Sequence, residues 1–198
     1  MKYRGGGMAL AALLAALAWV PDASAAGNAE AGQGKAVLCQ ACHGARGISA
    51  IAEIPSLAGQ TDLFLQWQLV FFRTGRRANP IMSPLSKALT DEDIHDLGAY
   101  FATLPPPAAT ADADPALSAI GKNAAEAQHC AACHTEAFTG KQAAARLANQ
   151  QEAYLAKALA DYRSANRPST GVAAMTQAAS ALADDDIGAI AHYLAALP

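Results

Sequence analysis

Aromatic residues make up only 6% of the 198-residue chain and charged residues only 16%. The basic side chains are outnumbered by acidic ones, 14 against 17, which removes any strong case for nucleic-acid binding. No stretch alternates apolar and polar residues in the way of a half-buried strand, so helix is left as the regular structure. Cysteine is limited to four residues and methionine to four, two of the methionines lying in the first eight positions. Alanine is abundant. It favours helix and adds little core volume, so a chain of this composition gains from a bulky apolar group that fills its interior.

The N-terminus has the pattern of a secretory signal over residues 1–25. Lys2 and Arg4 give it a positive start, Met8–Val20 is a 13-residue apolar run, and Ala23-Ser24-Ala25 is a small-residue cleavage site. The run falls in the range of a signal core and is short for a membrane span. An uncleaved anchor is the alternative. Cleavage at Ala25 would start the mature chain at Ala26, with 12 basic against 16 acidic residues, in an oxidising compartment such as the bacterial periplasm.

All four cysteines fall in two pentapeptides, Cys39-Gln40-Ala41-Cys42-His43 and Cys130-Ala131-Ala132-Cys133-His134. Each reads C-x-x-C-H, the attachment signature of a c-type haem. Two thiols three residues apart on one turn can add to the two vinyl groups of a porphyrin, and the adjoining His then supplies an axial imidazole. A thioredoxin-like site needs a βαβ context that is missing. The spacing between the pairs does not fit zinc, and disulfides give no reason for two histidines in register. Two covalent haem c groups are expected, with Cys39, Cys42, Cys130 and Cys133 as thioether residues and His43 and His134 as iron ligands.

The chain repeats itself. Leu57-Ala58-Gly59-Gln60 matches Leu147-Ala148-Asn149-Gln150, and Phe72-Arg73 matches Tyr162-Arg163, all 90 residues apart. Leu89–Ile94 matches Leu182–Ile187 at an offset of 93, so a loop before Met175 is longer in the second half. Pro105-Pro106-Pro107 cannot continue a helix and opens an extended linker. The expected architecture is all-α: a first helical domain over 26–104, a linker over 105–115 and a second domain over 116–198. Asn28 can cap a helix running into Cys39, and Thr61 another with Leu63, Trp67, Val70 and Phe71 on one face. Thr90 with Asp93 suits a capping box. Behind it, Ile94, Leu97, Phe101 and Leu104 form a stripe that Ile187, Ile190, Leu194 and Leu197 reproduce.

Outside the first 25 residues the only methionines are Met82 and Met175, 39 residues after His43 and 41 after His134. Methionine often fills cores, but one at matching positions in each repeat and nowhere else favours a sixth iron ligand. Thioether ligation raises the reduction potential and occupies the open face of the iron. His95, His129 and His192 have no counterpart in the other repeat and are expected at a surface or interface. Pro55 either shapes a turn or offers its carbonyl to the His43 ring, with Ala145 as its counterpart. Arg73 and Arg163 either pair with a haem propionate or lie solvated. Gly75-Arg76-Arg77 is a basic patch that could dock an acidic partner or stay a solvated loop. Asp91–Asp93 and Asp184–Asp186 suit helix N-termini.

Together these residues resemble the dihaem cytochrome c4 family. The resemblance is carried by Ala26–Gly32 followed by the first haem motif, by Pro55–Gln60, by Gly75-Arg76-Arg77 ahead of Met82, and by the Leu89–Pro105 helix. It implies two class I cytochrome c domains approaching across an interface, His43/Met82 and His134/Met175 ligation, and a periplasmic electron carrier of a respiratory chain. The second half departs from the family frame: Thr135 stands where glycine is expected after the haem histidine, Ala145 replaces the proline, and 135–146 is atypical. The expected function is single-electron transfer without catalytic residues. Its partners are redox proteins such as a terminal oxidase, a cytochrome complex or a periplasmic dehydrogenase, with room for peripheral contact with a membrane. The alternatives are a dedicated electron acceptor of one dehydrogenase and a dihaem enzyme or gas-binding protein with an open iron.

Overall fold

A computed structural model describes residues 1–2, 27–109, 112–169 and 173–197. The signal-like segment and its cleavage site at Ala25 lie outside the described residues. Among those described, no helix is long and apolar enough to cross a membrane. Regular structure there is helical, apart from one isolated bridge between Lys141 and Ala144.

The first half holds α1 (Ala29–Lys35), α2 (Val37–His43), a 3-10 turn (Ala45–Gly47), α3 (Asp62–Arg73), α4 (Met82–Lys87) and α5 (Asp91–Thr103). The second repeats the order with α6 (Pro115–Ala127), α7 (Ala131–His134), α8 (Glu152–Arg163), α9 (Ala174–Ala179) and α10 (Asp184–Ala196). Asn28 Oδ1 accepts from Glu30 and Ala31 N–H and so starts α1. Asp114 does the same for α6, with Pro115 in its first turn where a missing N–H costs nothing. Thr90 and Asp93 form the expected capping box. In the second half only Asp186 contributes, accepting from Ala183 N–H, because alanine has no side-chain acceptor.

In each half the first helix crosses the last, α1 on α5 and α6 on α10. Glycine permits the close approach. A Cβ at Gly32 would meet the Asp96 carbonyl at 2.0 Å, and one at Gly121 the Ala189 carbonyl at 1.9 Å. The closing-helix stripes are buried as expected: Ile94, Leu97 and Phe101 in α5, and Ile187, Ile190 and Leu194 in α10. At Lys35 the crossing is reinforced by Asp93 at 2.8 Å and the buried Asp96 at 2.7 Å. Both acids are held below their ordinary range, chiefly by the Lys35 hydrogen bond, with Asp93 at about 2.

The buried face of α3 keeps Phe71 of the predicted set and is otherwise rotated from it. Leu65, Gln68, Phe71 and Phe72 are buried, while Leu63 and Trp67 are exposed, Trp67 leaning on Phe71 at 5.6 Å between centroids. The inward face includes a glutamine whose Oε1 accepts from two arginines, and an apolar-periodicity reading skips such a residue. Thr61 does not cap α3 either. Its hydroxyl donates to the Ala144 carbonyl of the other half, and Gln60 Oε1 accepts the Thr61 N–H.

Candidate functional site

Both C-x-x-C-H motifs end in a helical turn that buries the histidine. His43 closes α2 and His134 closes α7. The His43 Nδ1 donates to the Pro55 carbonyl at 2.8 Å, and the His134 Nδ1 donates to the Ala145 carbonyl at 2.7 Å. A carbonyl only accepts, so the proton sits on Nδ1 in each ring and Nε2 carries the lone pair. Burial pushes both imidazoles below their ordinary pKa, against the opposing effect of these hydrogen bonds. Both rings are therefore neutral, oriented and ready to coordinate through Nε2. Ala145 serves as well as Pro55, because the contact needs only a backbone carbonyl.

None of the four cysteines is tied up in a disulfide, so all four sulfurs are available for thioether bonds. Cys39, Cys42 and Cys130 are half-buried and Cys133 is exposed. Met82 begins α4, where Asn79 Oδ1 accepts from Ile81 N–H at 2.9 Å and Met82 N–H at 2.8 Å. Met175 lies in the first turn of α9, next to a Ser169 hydroxyl that accepts from Thr176 N–H at 3.1 Å, and it packs with Cys130 against the second core. Each methionine thus heads a short helix between the middle and closing helices of its half.

The rival histidines behave differently from one another. His129 is exposed and His95 half-buried. His192 is buried where the second half meets the linker, with Nδ1 3.0 Å from Glu152 and Nε2 3.1 Å from Asp112. With both ring nitrogens engaged by carboxylates, it has none left for a metal.

Thr135 occupies the backbone position of Gly44, with φ 70° and ψ 160° against φ 81° and ψ 163°. That region is essentially reserved for glycine, so the atypical second half keeps the loop geometry at the expense of strain.

Sequence reasoning missed the centre of the interface between the halves. Arg167 is 3% exposed, lies 4.7 Å over the Tyr162 ring and donates to Gln68 Oε1 at 3.1 Å. Arg77 donates to the same oxygen at 2.7 Å and stacks on Phe72, so it points inward and is no part of a docking patch. Burial would raise the Tyr154 phenol, but Arg167 and Arg77 hold it down at about 8. Among the described residues neither arginine has a carboxylate partner, and Gln68 Nε2, Arg146 Nε and Arg167 Nε are buried without a hydrogen-bond partner. A buried guanidinium without an anion is costly. These donors fit the carboxylates of haem propionates. Arg73 and Arg163 instead cap the closing helices, donating to the Leu89 carbonyl and Asp91, and to the Leu182 carbonyl and Asp184. Both ion pairs lie at the surface, with Asp91 and Asp184 exposed.

Thiols, neutral imidazoles and unpaired buried cations make up a donor set that suits two covalent haems. Comparison with known proteins agrees. Residues 118–198 match the family described as Cytochrome c, and residues 27–101 that described as Cytochrome C oxidase, cbb3-type, subunit III. The chain is 37% identical to cytochrome c4 of Pseudomonas aeruginosa, over 95% of this chain and 98% of the relative. The chain belongs to the cytochrome c4 family. Like other cytochromes c4, it consists of two cytochrome c-like helical domains, carries two covalently bound haem c groups and functions in electron transfer. The reduced cytochrome c4 of Pseudomonas stutzeri superposes with a TM-score of 0.81 at 33% identity, over 87% of this chain and 100% of that one. The cytochrome c4 frame also extends to a protein named for a single partner: a thiosulfate dehydrogenase electron acceptor of Stutzerimonas stutzeri is 34% identical over 81% of this chain and 79% of the relative.

Proposed function

We propose that this protein carries single electrons between redox proteins in the periplasm after cleavage near Ala25. In this reading the domains are 26–104 and 116–198, joined by the 105–115 linker. Cys39 and Cys42 hold one haem and Cys130 and Cys133 the other, with His43/Met82 and His134/Met175 as axial pairs. The haem supplies the one-electron Fe(II)/Fe(III) couple. The chain's residues orient the imidazoles through Pro55 and Ala145, offer thioethers from the heads of α4 and α9, and balance propionate charge with Arg77 and Arg167. With a histidine and a methionine on each iron no site would be left for a substrate, which is the behaviour of a carrier. A terminal oxidase or a cytochrome complex of the respiratory chain is the partner class that suits it.

The observation that carries this reading is the matched pair of buried histidines, each held through Nδ1 by a backbone carbonyl. The test is carbon monoxide added to the fully reduced protein. An unchanged spectrum supports two closed irons, and a shifted Soret band from either haem would replace the carrier by an enzyme or a gas-binding protein.

A second reading, a dedicated acceptor for one dehydrogenase, is supported by the similarity to the thiosulfate dehydrogenase electron acceptor. Rapid reduction by a periplasmic dehydrogenase, with slow turnover by an oxidase, would favour it.

A further inference from the structure

Each haem-motif histidine leans on a peptide group whose far side is held by the opposite half of the molecule. The Pro55 carbonyl that accepts from His43 belongs to the same peptide unit as the Ser56 N–H, and that N–H donates to Gln150 Oε1 at 2.8 Å. In the second half the Ala145 carbonyl accepts from His134, and the Arg146 N–H of the same peptide unit donates to Gln60 Oε1 at 2.6 Å. The two arrangements are the same contact made twice. Pro55, Ser56 and Gln60 correspond to Ala145, Arg146 and Gln150 at the constant offset of 90.

Both glutamine amides have a fixed orientation. Gln150 Nε2 donates to the Ser56 carbonyl at 2.8 Å and Gln60 Nε2 to the Arg146 carbonyl at 3.0 Å. Each Oε1 also accepts a second backbone N–H at 3.0 Å, from Gln151 and Thr61 respectively. A flipped amide would set NH₂ against two N–H donors. Gln60, Gln150 and Ser56 are all buried, and the two Ser56–Gln150 bonds are wholly shielded from water.

We infer that Gln60 and Gln150 are crossed positioning residues, each polarising the peptide that holds the other half's histidine and so tuning the other half's haem. The inference rests on His43 and His134 being the iron ligands. A hydrogen bond accepted from a peptide N–H draws negative charge onto the carbonyl oxygen of the same unit. That oxygen then pulls harder on the imidazole Nδ1–H and makes the coordinating nitrogen more basic. A more basic axial imidazole favours Fe(III) and lowers the reduction potential. Since each chain of bonds crosses the interface, the potential of each haem depends on a contact made by the opposite domain.

The test uses the full-length, haem-loaded protein with Gln150→Leu and Gln60→Leu, which keep bulk and remove the amide. Potentiometric titration followed by absorption gives the two potentials. A Met82→His variant, which lowers the potential of the first half's haem alone, assigns them. Gln150→Leu is expected to raise the potential of the haem at Cys39 and Cys42 and leave the other in place. Gln60→Leu is expected to raise that of the haem at Cys130 and Cys133. No shift, an equal shift of both haems, or a shift confined to the glutamine's own half overturns the inference. If a variant does not accumulate with haem, amide hydrogen exchange in the unaltered protein decides. Ser56 and Arg146 N–H exchanging as slowly as the core of α5 and α10 supports the relay, and exchange at surface-loop rates overturns it. Loss of histidine–methionine ligation in the unaltered protein would withdraw the ligand assignment itself. Intact ligation with unmoved potentials would remove only the relay.

Discussion

Arg167 Nη2 donates to Gln68 Oε1 at 3.1 Å, joining residues that lie 99 positions apart and on opposite halves. The guanidinium is stacked on Tyr162 and holds down the Tyr154 phenol. Replacing Arg167 by Met keeps much of the stem and removes the charge and donors. Stability should fall by about 1–3 kcal/mol, the scale of a lost charge-assisted hydrogen bond and cation–π contact. The Tyr154 phenol should at the same time rise from about 8. Thermal unfolding and NMR titration of ring-labelled tyrosine measure the two effects. An unchanged tyrosine titration would show that Arg167 does not set it.

Thr135 pays for its place after the haem histidine with a backbone conformation suited to glycine. Thr135→Gly should therefore stabilise the protein by about 1 kcal/mol, since the strain relieved exceeds the loss of two exposed bonds of the threonine hydroxyl, to Thr139 N–H and to the Thr139 hydroxyl. The reverse change in the first half, Gly44→Thr, should cost about 1–3 kcal/mol or more. There a Cβ would meet the Ile48 carbonyl at 1.8 Å. Denaturant unfolding of the two variants checks the pair, and a destabilising Thr135→Gly would contradict it.

Lys35 ties the end of α1 to α5 through Asp93 and Asp96, whose folded-state pKa values are depressed. Groups of this kind add stability that is complete above the ordinary carboxylate range and is lost as pH falls through the folded value, here toward about 2 for Asp93. Lys35→Met should move the midpoint of acid unfolding to higher pH, followed by far-ultraviolet circular dichroism. An unmoved midpoint would mean that these acids are not what fails first in acid.

What could be read from the sequence was local or repeated. The C-x-x-C-H motifs, the single methionine in each repeat and the stripes Ile94–Leu97–Phe101 and Ile187–Ile190–Leu194 all depend on spacing within one segment. The Pro55 carbonyl contact was one of two readings of a turn proline, and its counterpart at Ala145 follows from the repeat. The interface was not legible, because nothing in the spacing of Gln68, Arg77, Tyr154 and Arg167 says that they meet. The α3 face was misread for the same reason, since a buried glutamine looks polar until its arginine partners are known. A signal for part of the interface did exist. Gln60 and Gln150 recur in matched Leu-Ala-x-Gln stretches, and a polar residue repeated among apolar ones asks for a partner. The signal is silent on the fact that the partner lies in the other repeat.

The central claim is that each half holds a haem closed by histidine and methionine. The most direct measurement is the Fe(III)–thioether absorption band of the oxidised protein, compared among the unaltered chain, Met82→Ala, Met175→Ala and the double variant. The account predicts full two-haem intensity in the unaltered protein, half in each single variant and none in the double variant, with haem content unchanged throughout. A band of one-haem strength in the unaltered protein, or one that survives the double substitution, would contradict it.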